Sequence, residues 1–403
     1  MAKKVAVYFL LLIYILAADT YWLLPFILPS VLLTFPVYVI GIGEHVSNYK
    51  KNREIVKPFI ILYTYILLVQ FFRFDDLLIS LYIFISNIII IFVSLYFKEH
   101  SKFLIWYFTV FIILNLGTQL IQLTGINITA ETMLKPFGFK TFYDNVAFYD
   151  STRGFRYPGL FVNVVPLGFL SGSATAFFWI LYNQSRRWMH LFLAFCGLLI
   201  AVLTNTRAVI YFIVPIIIFV DVIVRKRMSI RVIVLCAAFI GAFAVLQINR
   251  GFDESEVSSM DYSSWAEDGG VIDRVQGNVY GVIGTLSMNP LFGVAEKDQE
   301  KAILKGYRTI GLFFGDYFIG HVTYHNLPLY YLRVYGIVGF LLFLYVYWSA
   351  LKYAYHLRNP FERQYMLTVL IFFFVYNLSH NMKIQYLIFW LAICASYRSY
   401  RLR

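Results

Sequence analysis

Apolar runs of membrane-crossing length recur along almost the whole chain, and this repetition limits the possible folds more than any other feature. They fall at approximately 5–18, 22–43, 58–72, 74–97, 103–125, 160–183, 190–205, 208–224, 232–248, 329–351, 365–379 and 384–397. A helix needs about 20 apolar residues to cross roughly 30 Å of hydrocarbon. Backbone surrounded by lipid must also satisfy its own hydrogen bonds, which selects helices for runs of this kind. About twelve such spans would consume most of the 60% hydrophobic share of the 403 residues. The expected fold class is therefore all-α: a polytopic integral membrane protein of about 12 transmembrane helices with one large outward loop. The sequence shows neither an internal repeat nor a low-complexity linker, so residues 1–403 are read as a single integral domain.

The net charge of +12 invites a nucleic-acid reading, but that needs basic residues gathered on a soluble face, and here they punctuate apolar runs. With the N-terminus inside, the inward connections carry Lys50, Lys51, Arg53 and Lys57; Lys98 and Lys102; Arg186 and Arg187; Arg225, Lys226, Arg227 and Arg231; and Lys352, Arg358 and Arg363. Arg398, Arg401 and Arg403 join that side, whereas the short outward connections at 18–21, 73–76 and 205–207 are not comparably basic. Positive charge on the inner side of short loops sets orientation, so both termini are expected to be cytoplasmic. Lys3 and Lys4 precede an apolar run that lacks a small-residue cleavage site, and it is read as a retained first helix. Cys196, Cys236 and Cys394 all lie within apolar stretches, which offers no loop disulfide and no thiolate metal site.

Two outward segments exceed simple turns, about 126–158 and about 249–325, and loops of that length in a compact protein are usually functional. The second opens with Asp253, Glu254, Glu256, Asp261, Glu267, Asp268 and Asp273, a solvated acidic face. Within it Val275, Val279, Val282, Ile283 and Leu286 recur at helical spacing, which predicts an amphipathic helix on the membrane surface.

The outward side also carries His321, His325 and His380. Asn326 is a good N-cap and Pro328 suits a first turn, so His325 would stand immediately before a helix. The positive end of the helix dipole there disfavours imidazolium and attracts anions, which suits a neutral histidine acting as a base beside a phosphate. The plainer alternative is an interfacial histidine that only caps or packs. His321 and His325 stand four apart, but no third metal ligand follows nearby and Pro328 makes the helix start too late for a zinc pair. Arg207, in LTNTRAVIYF, lies between two apolar runs with almost no loop, so it faces either a watery cavity or, by snorkelling, the outer lipid phosphates. Arg274 stands beside the predicted amphipathic helix, and Arg153 and Arg156 lie in STRGFRYPGLFVN. Several arginines converging with a histidine could hold a pyrophosphate and deprotonate a hydroxyl, because the planar guanidinium fork matches phosphate oxygens. The sequence has no phosphate-cradling glycine loop, serine triad or thiol motif.

Three local patterns resemble the O-antigen polymerase and O-antigen ligase superfamily of bacterial surface-polysaccharide assembly. Thr204-Asn205-Thr206-Arg207-Ala208 is similar to its Thr-x-Ser-Arg-Ala/Gly stretch. Arg274 followed by Asn289-Pro290-Leu291-Phe292-Gly293 is similar to its arginine with a later Pro-Leu-Phe-Gly, and His325-Asn326-x-x-Leu329 followed by Gly336-x-x-Gly339 to its last two motifs. The resemblance spans roughly residues 200–340. Thr206 replaces the usual serine, Val209 a common glycine and Ala295 a frequent second glycine.

The resemblance implies a metal-independent, inverting glycosyltransferase of the polytopic (glycosyltransferase C-like) type in the bacterial inner membrane, needing no cofactor and working at the periplasmic face. Its donor would be an undecaprenyl-diphosphate-linked oligosaccharide and its acceptor a glycan. Arg207 and Arg274 would bind the diphosphate and stabilise charge on the leaving group, and His325 would take the acceptor proton. Arg153, Arg156, His321, Asn326 and Arg333 are expected to contribute to substrate binding. A surface polysaccharide polymerase is the preferred reading, and a ligase transferring the glycan to lipid A core is the alternative. Membrane lipids, a chain-length regulator and a flippase are the expected company, with no nucleic acid. Asp75 and Asp76 could instead imitate the carboxylates of metal-dependent sugar transferases. A flippase or transporter would want charges buried mid-span and repeat symmetry, and the sequence offers neither clearly.

Overall fold

The computed structural model describes residues 21–22, 53–73, 81, 84–85, 103–126, 140–141, 149–150, 154–155, 157–160, 164–204, 206–225, 271–310 and 326–379. Nine helices carry the described residues: α1 (Arg53–Phe72), α2 (Phe103–Gln122), α3 (Val164–Ser185), α4 (Trp188–Leu203), α5 (Arg207–Arg225), α6 (Val271–Met288), α7 (Gln299–Ile310), α8 (Leu327–Tyr355) and α9 (Pro360–Ser379). A 3-10 turn, Glu296–Asp298, leads into α7. Strand pairing among the described residues is confined to two antiparallel ladders of two-residue strands, Tyr21–Trp22 with Lys140–Thr141 and Tyr149–Asp150 with Gly154–Phe155. Seven of the apolar runs coincide with α1, α2, α3, α4, α5, α8 and α9. The runs at 5–18, 22–43, 74–97, 232–248 and 384–397 lie outside the described residues, apart from a few isolated positions.

Two stretches, Ile105–Leu123 and Leu327–Tyr355, are long and apolar enough by length and composition to cross a membrane, and Val56–Phe72, Trp188–Leu203 and Val209–Val224 are shorter apolar helices. Large apolar side chains on several helices face outward, including Phe72, Ile113, Trp188, Phe219, Leu341 and Trp348. Apolar helices whose outer faces are also apolar need lipid to cover them.

α3 is the hub. Along 167–181 its apolar side chains, together with Ser171, Ser173 and Thr175, are all buried, as befits a helix surrounded by others. Small residues let its neighbours approach closely. A side chain at Gly168 would meet the Thr206 methyl at 2.6 Å, and one at Gly172 the Phe372 ring at 2.8 Å. Phe169 stacks on Phe372 with ring centres 5.4 Å apart, and Phe177 meets Phe108 of α2 and Tyr365 of α9 at 5.3 and 5.2 Å. Close backbone approach at small residues, filled in by aromatic rings, replaces the hydrophobic effect as the packing force between apolar helices in lipid.

The contacts also fix the sense of the seven apolar helices. Gln119 and Gln122, at the end of α2, bind the backbone of the 157–160 turn that precedes α3. Tyr157 N donates to Leu203 O at the end of α4 (3.0 Å). Thr206, just before α5, packs on Gly168 near the start of α3. At the far ends of α5 and α9, Gln364 donates to Asp221 at 2.7 Å, so α9 finishes where α5 begins. Asn326, capping α8, donates to Leu378 O at the end of α9 (3.0 Å). Tyr65 and Arg73 bring the end of α1 against Tyr335 O and Val334 O of α8. One end of the bundle therefore gathers the ends of α1, α2, α4 and α9 and the beginnings of α3, α5 and α8. This alternation is the one expected of successive membrane crossings.

The helix expected from the spacing of Val275 to Leu286 is α6, but its apolar stripe is not its packing face. Tyr280, Gly281, Gly284 and Thr285 are buried, while Val279 and Leu286 are 41% and 38% exposed. α6 packs on α7 through glycines: a side chain at Gly284 would collide with Ala302 O, and one at Gly306 with Tyr280 O. Two backbones in such contact leave no room for substitution at either glycine.

Candidate functional site

The site is built from the three motif segments at the gathering end. In the first, Thr204 caps α4: its amide bonds Ile200 O (3.0 Å) and its hydroxyl bonds Ala201 O (2.8 Å). The Thr206 hydroxyl donates to Thr204 Oγ1 (2.9 Å), and Thr206 O accepts the first amides of the next helix from Val209 and Ile210. Both threonines are buried. They flank the three-residue connection from one helix to the next, which makes Arg207 the first residue of α5. The Arg207 side chain lies outside the described residues.

In the second segment, Arg274 occupies the first turn of α6, with its side chain again outside the described residues. The run Asn289–Gly293 folds into a tight turn in which Gly293 N donates to Asn289 O (2.9 Å) and Phe292 N to Asn289 Oδ1 (3.3 Å). This turn is stitched to a break in α8. Gly336 has φ 69° and ψ −169°, a conformation that a side chain forbids. That break lets Ile337 N reach Pro290 O (2.9 Å) and Val338 N reach Leu291 O (3.3 Å). Gly293, at φ 78°, lies against it, and a side chain there would meet Val334 C at 2.6 Å. Arg73 donates to both Phe292 O and Val334 O, and the Tyr65 hydroxyl donates to Tyr335 O at 2.8 Å. The glycines of these two motifs thus hold segments together.

In the third segment, Asn326 caps α8, accepting from Leu329 N at 3.0 Å with Pro328 in the first turn. Its other side-chain atom ties α8 to α9. His325, His321, Arg153 and Arg156 lie outside the described residues.

Arg333 sits differently from a residue facing ligand. Its side chain is fully buried, at 0% exposure. Nε donates to Gln299 Oε1 (3.1 Å) and Nη1 to Asn278 Oδ1 (3.3 Å), while the group packs on Gly281. The Arg333 carbonyl accepts from Val294 N (2.9 Å) and Gln299 Nε2 (3.2 Å). Nearby, Tyr330 donates to Glu296 at 2.6 Å. At the start of α7, the Lys301 ammonium holds the Asp298 carboxyl of the preceding 3-10 turn below its usual range through a 2.6 Å hydrogen bond.

Several participants gave no motif in the sequence: α7, the Gln299–Asn278 seat of Arg333, and the Tyr65–Arg73 clasp. A fourth was readable. Asn115, Thr118, Gln119 and Gln122 form a polar stripe at helical spacing in an otherwise apolar run, and its two glutamines and asparagine hold the backbone of 157–160. Gln122 both donates to Gly159 O (2.8 Å) and accepts from Gly159 N (3.0 Å), and Asn115 accepts from Leu160 N (3.1 Å). Among the described residues no group of three or more His, Cys, Asp or Glu side chains could hold a metal ion.

Apolar helices of alternating sense, packed through small residues and bare of polar cover, define a helical integral membrane protein. Within it, residues 191–344 match the family model described as O-antigen ligase, the segment that holds all three motifs. The resemblance to the O-antigen polymerase and ligase superfamily is thereby shown over that segment. No curated protein matches the chain.

Proposed function

We propose that the protein is a surface-polysaccharide polymerase of the bacterial inner membrane, transferring an undecaprenyl-diphosphate-linked glycan to the acceptor sugar of another lipid-linked repeat unit at the periplasmic face. One observation carries the reading: the gathering end brings the Arg207 backbone, at the start of α5, to the same end as Asn326, the neighbour of His325. Those are the positions where the motifs require cation and base.

In the proposed reaction His325 takes the proton of the acceptor hydroxyl as its oxygen attacks the anomeric carbon of the donor. The anomeric C–O bond breaks, undecaprenyl diphosphate departs, and the configuration inverts. Arg207 and Arg274 hold the diphosphate and stabilise the charge that accumulates on it. Arginine supplies this charge, so no metal takes part. A ligase acting on lipid A core is the second reading, favoured by the description of the matching family model.

The test deletes the gene in its host and separates the surface polysaccharide on a gel. Core bearing a single repeat, restored to a ladder by wild type but not by His325→Ala or Arg207→Ala, is the polymerase outcome. Bare core with long chains accumulating on the lipid carrier identifies a ligase. A full ladder from a well-inserted Arg207→Ala, His325→Ala double variant would overturn the mechanism.

A further inference from the structure

Arg333 lies in a stretch that reads as a span, yet it is the largest fully buried side chain of the described residues and is seated on groups from a different part of the chain. Burying a guanidinium is costly unless its donors are met with good geometry. Here the acceptors come from both arms of the α6–α7 pair: Asn278 from α6 and Gln299 from α7. Gly281 is bare where the guanidinium lies, since a side chain there would meet Cζ at 2.5 Å. The backbone of the same residue accepts from Val294 and Gln299. Arg333 therefore joins three segments at once: α6, which carries Arg274 in its first turn; the 289–299 connection; and α8, whose first turn follows His325.

We propose that Arg333 is a positioning residue, a lock that fixes the α6–α7 pair on α8 and so sets Arg274 and His325 in register. The catalytic half of this proposal rests on the function proposed above; the docking half does not. Lysine keeps the charge but not the planar fork that reaches Gln299 and Asn278 together. Misplacing reacting groups by about 1 Å costs up to about a hundredfold in rate without changing which groups hold the substrate.

The experiment uses the full chain with its three native cysteines replaced and with Glu296→Cys and Tyr330→Cys introduced, positions whose native side chains touch across the joint. A short bismaleimide reports docking. In the unmodified chain, with Glu296, Tyr330 and the native cysteines in place, turnover is measured on polyprenyl-diphosphate-linked glycan extracted from the gene-deleted host. Arg333→Lys is expected to lower cross-linking yield and to cut kcat about tenfold or more while leaving the donor KM within about twofold. Asn278→Ala, a milder change at a half-buried position, should do the same to a smaller degree, and Asn278→Asp, which keeps the acceptor, should restore both readings. Cross-linking and kcat unchanged in both Arg333→Lys and Asn278→Ala would overturn the proposal, and so would a raised donor KM at unchanged kcat, which would make Arg333 a substrate contact. An active His325→Ala protein would instead sink the proposed function, while cross-linking would still report on the lock.

Discussion

At the scale of single residues, this protein places its least replaceable groups where backbone meets backbone. Gly336 combines a left-handed φ with an extended ψ and touches the Leu291 backbone. Gly336→Ala should destabilise the protein by at least about 1–3 kcal/mol, the usual cost of that conformation for other residues, and the loss is measurable by thermal unfolding in detergent. Asn326 does two jobs with one amide. Asn326→Asp keeps the acceptor for Leu329 N and loses the donor to Leu378 O, whereas Asn326→Ala loses both. Thermal unfolding should therefore rank wild type above Asp and Asp above Ala, the last step reflecting a cap worth about 1 kcal/mol. The cap was legible because Asn before x-Pro is a local signal. The seat of Arg333 was not, since its partners lie 34 and 55 positions away in the chain and neither glutamine nor asparagine announces a pairing.

At the scale of elements, the apolar runs announced seven of the described helices, and helical spacing announced α6. The spacing did not reveal which face of α6 packs. Its glycine face meets α7, and close backbone contact leaves almost no hydrophobic signature to read. Gly284→Leu or Gly306→Leu should separate the two helices and abolish the Glu296–Tyr330 cross-link, while leaving the α3 hub intact. The amide stripe of α2 gives a second expectation. Gln122→Leu leaves both polar atoms of Gly159 without their present partner, a loss of about 1–3 kcal/mol for each buried group, again read by thermal unfolding. By contrast the Asp298–Lys301 pair is fully solvated and should matter little. Its carboxyl is held below its ordinary range, so any contribution is present above that range and fades as pH falls through the lowered value. Lys301→Met should leave the unfolding temperature unchanged at neutral pH.

For the whole molecule, the contacts establish that the described apolar helices alternate in sense, and charge patterning proposes which end faces inward. Cysteines placed at Glu300 and at Arg358 test the assignment: a membrane-impermeant thiol reagent should label the first in intact spheroplasts and the second only after lysis. Turnover that survives a strong chelator would agree with arginine rather than metal chemistry at the diphosphate. Local sequence could offer this much because sidedness follows from charge near helix ends, whereas the meeting of motifs depends on contacts across the full length. The clasp at the kink of α8 shows how far that dependence reaches. Tyr65 and Arg73 grip groups 219 to 270 positions later in the chain. During synthesis α1 therefore waits in the bilayer for more than half of the chain to emerge before its partner exists. A ribosome stalled before Leu291 would leave α1 without any of these four partners, so the fastening of an early helix is decided in the last third of translation.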